Sequence, residues 1–127
     1  MVKNKILGII QARVSSKRLP GKVLINISGR TVLEHVFNRT SASLHLDEVV
    51  VATSTDSSDD LIEDLCTKNK IPYFRGDLED VLGRFYHCAL HFKASHIMRI
   101  TADCPMIDPA IIDAVTIGGV AEHFDCY

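Results

Sequence analysis

Ile6-Leu7-Gly8-Ile9-Ile10-Gln11-Ala12-Arg13-Val14-Ser15-Ser16-Lys17-Arg18-Leu19-Pro20-Gly21-Lys22-Val23-Leu24 is the stretch on which the reading of this chain turns. Ile6 to Gln11 is apolar without alternation, the pattern of a strand buried on both faces of a parallel sheet. The composition then changes. Arg13, Lys17, Arg18 and Lys22 follow with no acidic residue among them, and Pro20 and Gly21 stop any regular helix or strand. A cationic loop directly after a buried strand suits an anion with several phosphates. Lys and Arg neutralise charge, Ser15 and Ser16 offer hydroxyl donors, and the glycine lets backbone N–H groups approach closely. The same composition also describes a solvated basic loop, and composition alone does not separate the two.

Downstream, apolar runs alternate with helical periodicity. Ile25 to Arg30 reads as a short excursion ending in a turn. Thr31-Val32-Leu33-Glu34 has the form of a capping box, which predicts a helix from Val32 to about Thr40 with Leu33, Val36 and Phe37 inward. Glu48 to Thr53 is a second buried strand, rich in β-branched residues. Ser57 or Ser58 is expected to cap the next helix, with Asp59, Asp60 and Glu63 at its positive end and Leu61, Ile62, Leu65 and Cys66 on its apolar face. A short strand follows at Tyr73 to Arg75, with a break at Gly76. The longest helical candidate runs from Asp77 to about Lys93, with Val81, Leu82, Phe85, Tyr86, Ala89 and Leu90 as its buried stripe. His96 to Thr101 is the next strand. Asp108 and Pro109 then start a helix with Ile111, Ile112 and Val115 inward. The tail from Ala121 offers no obvious finishing element.

This alternation implies βαβ units in an α/β fold, a Rossmann-like three-layer α/β/α arrangement around a mostly parallel sheet. The chain has 127 residues, enough for one domain and one core, and 46% of them are hydrophobic. A net charge of −2 argues against a general nucleic-acid binder. No apolar run is long enough to span a membrane and none resembles a secretory signal, so a cytoplasmic location is expected. Cys66, Cys88, Cys104 and Cys126 lack the spacing of a zinc knuckle or redox motif and are expected to be free, mostly buried thiols.

In open α/β sheets, ligands bind beyond the carboxyl ends of the strands. There this chain places the basic loop, Thr53 to Asp56, Gly76 with Asp77, and Thr101 to Asp103. Asp103 is a candidate Mg2+ ligand, because that ion favours a carboxylate together with phosphate oxygens and water. It equally suits the turn before Pro105. Gly21-Lys22 does not complete a P-loop: Ser16 stands where the first glycine belongs and Val23 replaces the Ser or Thr. No dinucleotide fingerprint follows Gly8. His87 and His91 lie four apart on a helix, but no third ligand accompanies them, so a surface pair is expected. No Ser-His-Asp or Cys-His set has suggestive spacing.

Three motifs carry a resemblance. Ile9 to Leu24, Arg75-Gly-Asp-Leu-Glu-Asp-Val-Leu-Gly-Arg84-Phe-Tyr, and Arg99-Ile-Thr-Ala-Asp103-Cys-Pro-Met-Ile-Asp108-Pro occur in order across most of the chain. Together they resemble the nucleotide-sugar cytidylyltransferases, which include CMP-KDO synthetase and acylneuraminate cytidylyltransferase, and most of all the branch of spore coat polysaccharide biosynthesis protein F. The resemblance implies a glycosyltransferase-A-like nucleotidyltransferase fold that binds CTP and Mg2+. It implies transfer of CMP to a sugar or sugar acid for a surface polysaccharide. It assigns Arg13 and Lys22 to the triphosphate, with Ser16 and Arg18 assisting, and Asp103 to the metal. Ala12, Arg75 and Arg84 fall to the base or ribose side. Ala102 stands where CMP-KDO synthetases carry glycine.

Members of the family continue well past the position of Tyr127. That further part carries a second metal-binding acid, much of the acceptor pocket and usually the dimerisation segment, so this chain is expected to be one nucleotide-binding domain lacking it. Two other functions compete with cytidylyl transfer: a non-catalytic nucleotide-binding or oligomerising fragment, and a nucleotidyltransferase that uses another nucleotide. Apolar surface normally covered by the further part is expected to drive self-association.

Overall fold

The computed structural model describes residues 5–15, 21–43, 46–101 and 123–124. Strand β1 (Ile6–Gln11) lies at the centre of the sheet, and its Leu7, Ile9 and Ile10 are fully buried. After the basic loop come a single 3-10 turn at Lys22–Leu24, a small hairpin of β2 (Asn26–Ile27) and β3 (Arg30–Thr31), and helix α1 (Val32–Ser41). The capping box is present in full: the Glu34 N–H donates to the Thr31 hydroxyl, and the Thr31 N–H donates to the Glu34 carboxylate at 2.6 Å. Then follow β4 (Glu48–Ser54), a 3-10 turn at Ser57–Asp59, helix α2 (Asp60–Lys68), β5 (Tyr73–Gly76), helix α3 (Val81–His91), β6 (His96–Thr101) and β7 (His123–Phe124).

The main sheet has the order β5-β4-β1-β6-β7, and every pairing in it is parallel. One face buries Ile10, Val49, Val51, Met98 and Ile100 against Val32, Leu33 and Val36 of α1 and Ile62 and Cys66 of α2. The other buries Leu7, Ile9, Val50 and Ala52 against Phe85 and Cys88 of α3. This is the expected three-layer α/β/α arrangement. Strand order reverses between β1 and β6, so their carboxyl ends open a crevice at the switch point, where such folds bind ligands.

Five expectations need correction. Neither Ser57 nor Ser58 caps α2 with its side chain. Asp56 caps the preceding 3-10 turn by accepting the Ser58 N–H, and the residue at the N-cap of α2 is Asp59, whose side chain turns elsewhere. Helix α3 starts at Val81 rather than Asp77, because the Asp77 carboxylate accepts the Glu79 and Asp80 N–H groups and holds a turn there. Its buried side carries Arg84, Phe85 and Cys88, whereas Leu82, Tyr86 and Leu90 are exposed, Leu82 at 82%. On α2, likewise, Leu61 is exposed and Ile62 and Cys66 are buried. The tail does contribute an element: β7 pairs with β6 through Arg99–His123 and Ile100–Phe124. Two residues are too short to carry a periodic signal. The helix expected after Asp108 lies outside the described residues, as do Cys104 and Cys126.

Candidate active site

The basic loop has a defined base. The Ala12 N–H donates to the Ala52 carbonyl at 3.0 Å and keeps the chain paired one residue past β1. The Gly21 N–H donates to the Val14 carbonyl at 2.7 Å and closes the loop between those two residues. Gly21 has φ 75°, a conformation that glycine adopts without the Cβ penalty, and it swings the chain into the 3-10 turn that starts at Lys22. Val23 then inserts into the core. Both ends of the loop are therefore fixed on the sheet.

Asp59 is the anchor of this base. Its side chain has no solvent exposure. One carboxylate oxygen accepts the Val14 N–H at 2.8 Å, and the other accepts Arg13 Nε at 2.6 Å and the Ser54 hydroxyl. Two strands and a turn thus meet on one buried charge. The Arg13 side chain remains 24% exposed, so its guanidinium is oriented from one edge while it borders solvent. Hydrogen bonds to a charged acceptor and a nearby opposite charge are what make a buried carboxylate tolerable.

Arg75 performs similar work one strand over. Nε donates to the Ser54 carbonyl at 2.7 Å and Nη2 to the Asp56 carbonyl at 2.8 Å. Nη1 reaches Asp60 at 2.8 Å and Glu63 at 2.5 Å. The hydrogen bond to Glu63 holds the guanidinium proton more firmly than usual. Its fork is fully engaged, and it binds the end of β4 to the turn and to α2.

Arg84 is 1% exposed. Nε donates to the Asp77 carbonyl at 3.1 Å and Nη2 to that of Leu78 at 3.0 Å. Gly76 makes room for it: a Cβ there would lie 2.7 Å from Arg84 Cγ. Burial, then the charge of Arg13, pulls its pKa below the usual guanidinium range, with Asp59 and Asp77 opposing. Arg99 reaches along β6 to donate Nη2 to Gln11 Oε1 at 2.9 Å, across the switch point, and its guanidinium lies 4.9 Å from the Phe85 ring centroid.

Of the residues expected at the site, Arg13 follows the carboxyl end of β1 and is tied to Asp59, and its charge acts on the buried Arg84 of α3. Ala12 is buried at the first loop position and Lys22 opens the turn at the far end. Arg75 stands at the end of β5. Ser16, Arg18 and Asp103 lie outside the described residues. Among the described residues, no group of three His, Cys, Asp or Glu side chains converges, so these alone do not build a metal site. His87 and His91 belong to no such group, and His91 instead packs its ring near Phe74 and Phe92. Cys66 and Cys88 are free and buried, as expected. Two residues went unrecognised. Asp59 was expected only to favour the helix end. Arg99 carries a signal, a charge between the apolar Met98 and Ile100 in the middle of a strand.

Comparison with known proteins matches the cytidylyltransferase family over residues 7–117. The chain belongs to the cytidylyltransferase family. It is 40% identical over 126 residues to the spore coat polysaccharide biosynthesis protein SpsF of Bacillus subtilis, covering 96% of this chain and 51% of that protein. A cytidylyltransferase structure from Leptospira borgpetersenii superposes with a TM-score of 0.85 at 35% identity, covering 91% of this chain and 48% of the other. The structure of CMP:2-keto-3-deoxy-manno-octonic acid synthetase complexed with CTP gives 0.75 at 26% identity, covering 91% and 47%. The chain spans about half the length of the curated relatives that it matches. No helix among the described residues is long and apolar enough to cross a membrane.

Proposed function

We propose that this chain forms the CTP-binding part of a cytidylyltransferase that transfers CMP to a hydroxyl of a sugar or sugar acid, in the synthesis of a surface polysaccharide. The observation that carries this reading is the basic loop, closed by Val14 and Gly21 and anchored by Asp59, at the switch point of a cytidylyltransferase fold. In the reaction, the acceptor oxygen forms a bond to the α-phosphorus of CTP. The bond from that phosphorus to the oxygen bridging to the β-phosphate breaks, pyrophosphate leaves, and the hydroxyl proton passes to solvent. Such chemistry asks mainly for positioning and charge neutralisation.

Arg13 and Lys22 hold the triphosphate in this reading, with Ser16 and Arg18 assisting. Ala12 and Arg84 border the base and ribose, and Arg75 acts there through the turn that it holds. Asp103 would hold Mg2+, which would supply further neutralisation of the triphosphate. The relative solved with CTP supports the choice of nucleotide.

A thermal-shift titration with CTP, UTP, ATP and GTP, each with and without Mg2+, tests the reading. Saturation at a hundred times the dissociation constant stabilises by about 2.7 kcal/mol. A shift selective for CTP and dependent on Mg2+ is expected. Equal shifts with all four nucleotides, or none with any, would overturn it.

A further inference from the structure

Helix α3 turns an apolar row away from the sheet. Leu82, Tyr86 and Leu90 are 82%, 61% and 57% exposed. They stand four residues apart on a helix, so they form one continuous ridge. Beside it Phe85, Ala89, Ala94 and Ile97 line a shallow apolar groove. Single surface leucines are ordinary, whereas a contiguous apolar row marks a contact surface. The face is also symmetric. Helix α3 runs from Val81 to His91, and Tyr86 is its middle residue, with Leu82 and Leu90 equally far to either side. Gly83 and Ala89 are equidistant from Tyr86 too, and both are small enough to let another backbone come close. Beyond the two ends the charge changes sign. Glu79 precedes the helix and Lys93 follows it, again equally far from Tyr86, and both are exposed. Neither enters an ion pair among the described residues.

We propose that this face binds a second copy of the same chain, helix α3 lying antiparallel to its counterpart about a two-fold axis at Tyr86. A two-fold interface must be self-complementary. Its partner has to offer an apolar ridge where this chain has one, and the opposite charge where this chain carries a charge. Reversal of α3 about Tyr86 meets both conditions. Leu82 of each copy comes to the Leu90 end of the other, Tyr86 faces Tyr86, and the acidic end at Glu79 meets the basic end at Lys93. Ridges of residues four apart are the commonest means by which two helices interlock, and antiparallel helices set opposite dipole ends together. A helix of 11 residues is about 16 Å long, which covers less than the roughly 800 Å² per partner of a standard interface. The dimer therefore belongs to the weak, exchanging class, with a dissociation constant of micromolar order. Helix α3 starts beyond Gly76 at the carboxyl end of β5, so an antiparallel pair sends the two cationic loops to opposite ends and leaves both open. The inference is independent of the nucleotide reading.

Cysteine cross-linking of the full-length protein tests the face directly. Tyr86→Cys sets two thiols opposite each other across the axis. With oxidised glutathione, the thiolate of one copy displaces glutathione from the mixed disulfide on the other, and a linked dimer is expected. His87→Cys, exposed but one position off the ridge, and the wild type are expected to stay unlinked. Sedimentation across the micromolar range supplies the second measurement. Tyr86→Lys should weaken self-association by about tenfold or more. Glu79→Lys and Lys93→Glu should each weaken it by about fivefold, and the two together should return it to within about twofold of wild type, because both ends then exchange sign. These two positions lie outside the helix and are exposed, which keeps the test open where a Tyr86 variant fails to fold. CTP affinity should change by less than about twofold in all of them. The proposal is overturned by absence of the Tyr86→Cys link, by equal linking at position 87, by wild-type association of Tyr86→Lys, or by a double charge reversal no better than the single ones. A lower denaturation midpoint for Tyr86→Lys with unchanged association would show that another part of the same chain covers the helix, and would overturn it as well.

Discussion

Arg13 Nε lies 2.6 Å from Asp59 Oδ2, and the Asp59 side chain is fully shielded from solvent. Because the other carboxylate oxygen accepts the Val14 N–H, the arginine and the main chain beside it are set by one group. The phosphate-loop reading therefore depends on a residue 45 positions further along the chain than Val14. Asp59→Asn keeps the shape but removes the charge and faces three donors with an amide. Breaking a buried pair from one side costs about 3–5 kcal/mol, and the partial exposure of Arg13 puts this case at about 3 kcal/mol. Urea denaturation measures the loss, and amide exchange at Val14 should accelerate more than exchange in β4.

Gly76 and Arg84 are matched in a similar way. An alanine Cβ at position 76 would lie 2.7 Å from Arg84 Cγ and 3.3 Å from its Cα, so α3 itself must shift. Overpacking of this kind costs about 1–3 kcal/mol. Gly76→Ala should lower the denaturant midpoint accordingly. In the Arg84→Ala background the same change should cost less, since the side-chain atoms beyond Cβ are gone, and a double-mutant cycle reads the difference.

Burial pushes the Cys66 and Cys88 thiols up to about 12 from an ordinary value of 9.0. The folded pKa lies above the unfolded one, so the associated stability is complete below pH 9.0 and is lost as pH rises toward about 12. Denaturation midpoints of the wild-type protein should fall across that window more steeply than those of the Cys66→Ala, Cys88→Ala double variant. Parallel curves would contradict the assignment.

Most of the fold was legible because it rests on local signals. Ile6–Gln11 is a continuous apolar strand, it and His96–Thr101 have the bounds that the sequence indicates, and Thr31 with Glu34 marks the start of α1 unambiguously. The errors arose where a polar residue took a tertiary partner. Asp59 reads as a helix-end charge because its real partners, Arg13 and Val14, are remote in sequence. The buried stripe expected on α3 omits Arg84 because nothing local announces the Asp77 and Leu78 carbonyls that receive it, and Leu82 and Tyr86 face outward instead. Arg75 shows the converse. Its motif drew attention to a ligand role, while in the fold its fork ties together Ser54, Asp56, Asp60 and Glu63.

The most direct test of the central claim is the affinity of the full-length protein for CTP in Mg2+, measured by calorimetry for the wild type, Arg13→Ala and Lys22→Ala. Each lost charge-assisted contact to phosphate is expected to weaken binding by about tenfold or more, with a shallower dependence on salt. Unchanged affinity in both variants, with the fold intact by circular dichroism, would contradict the assignment of this loop to the triphosphate.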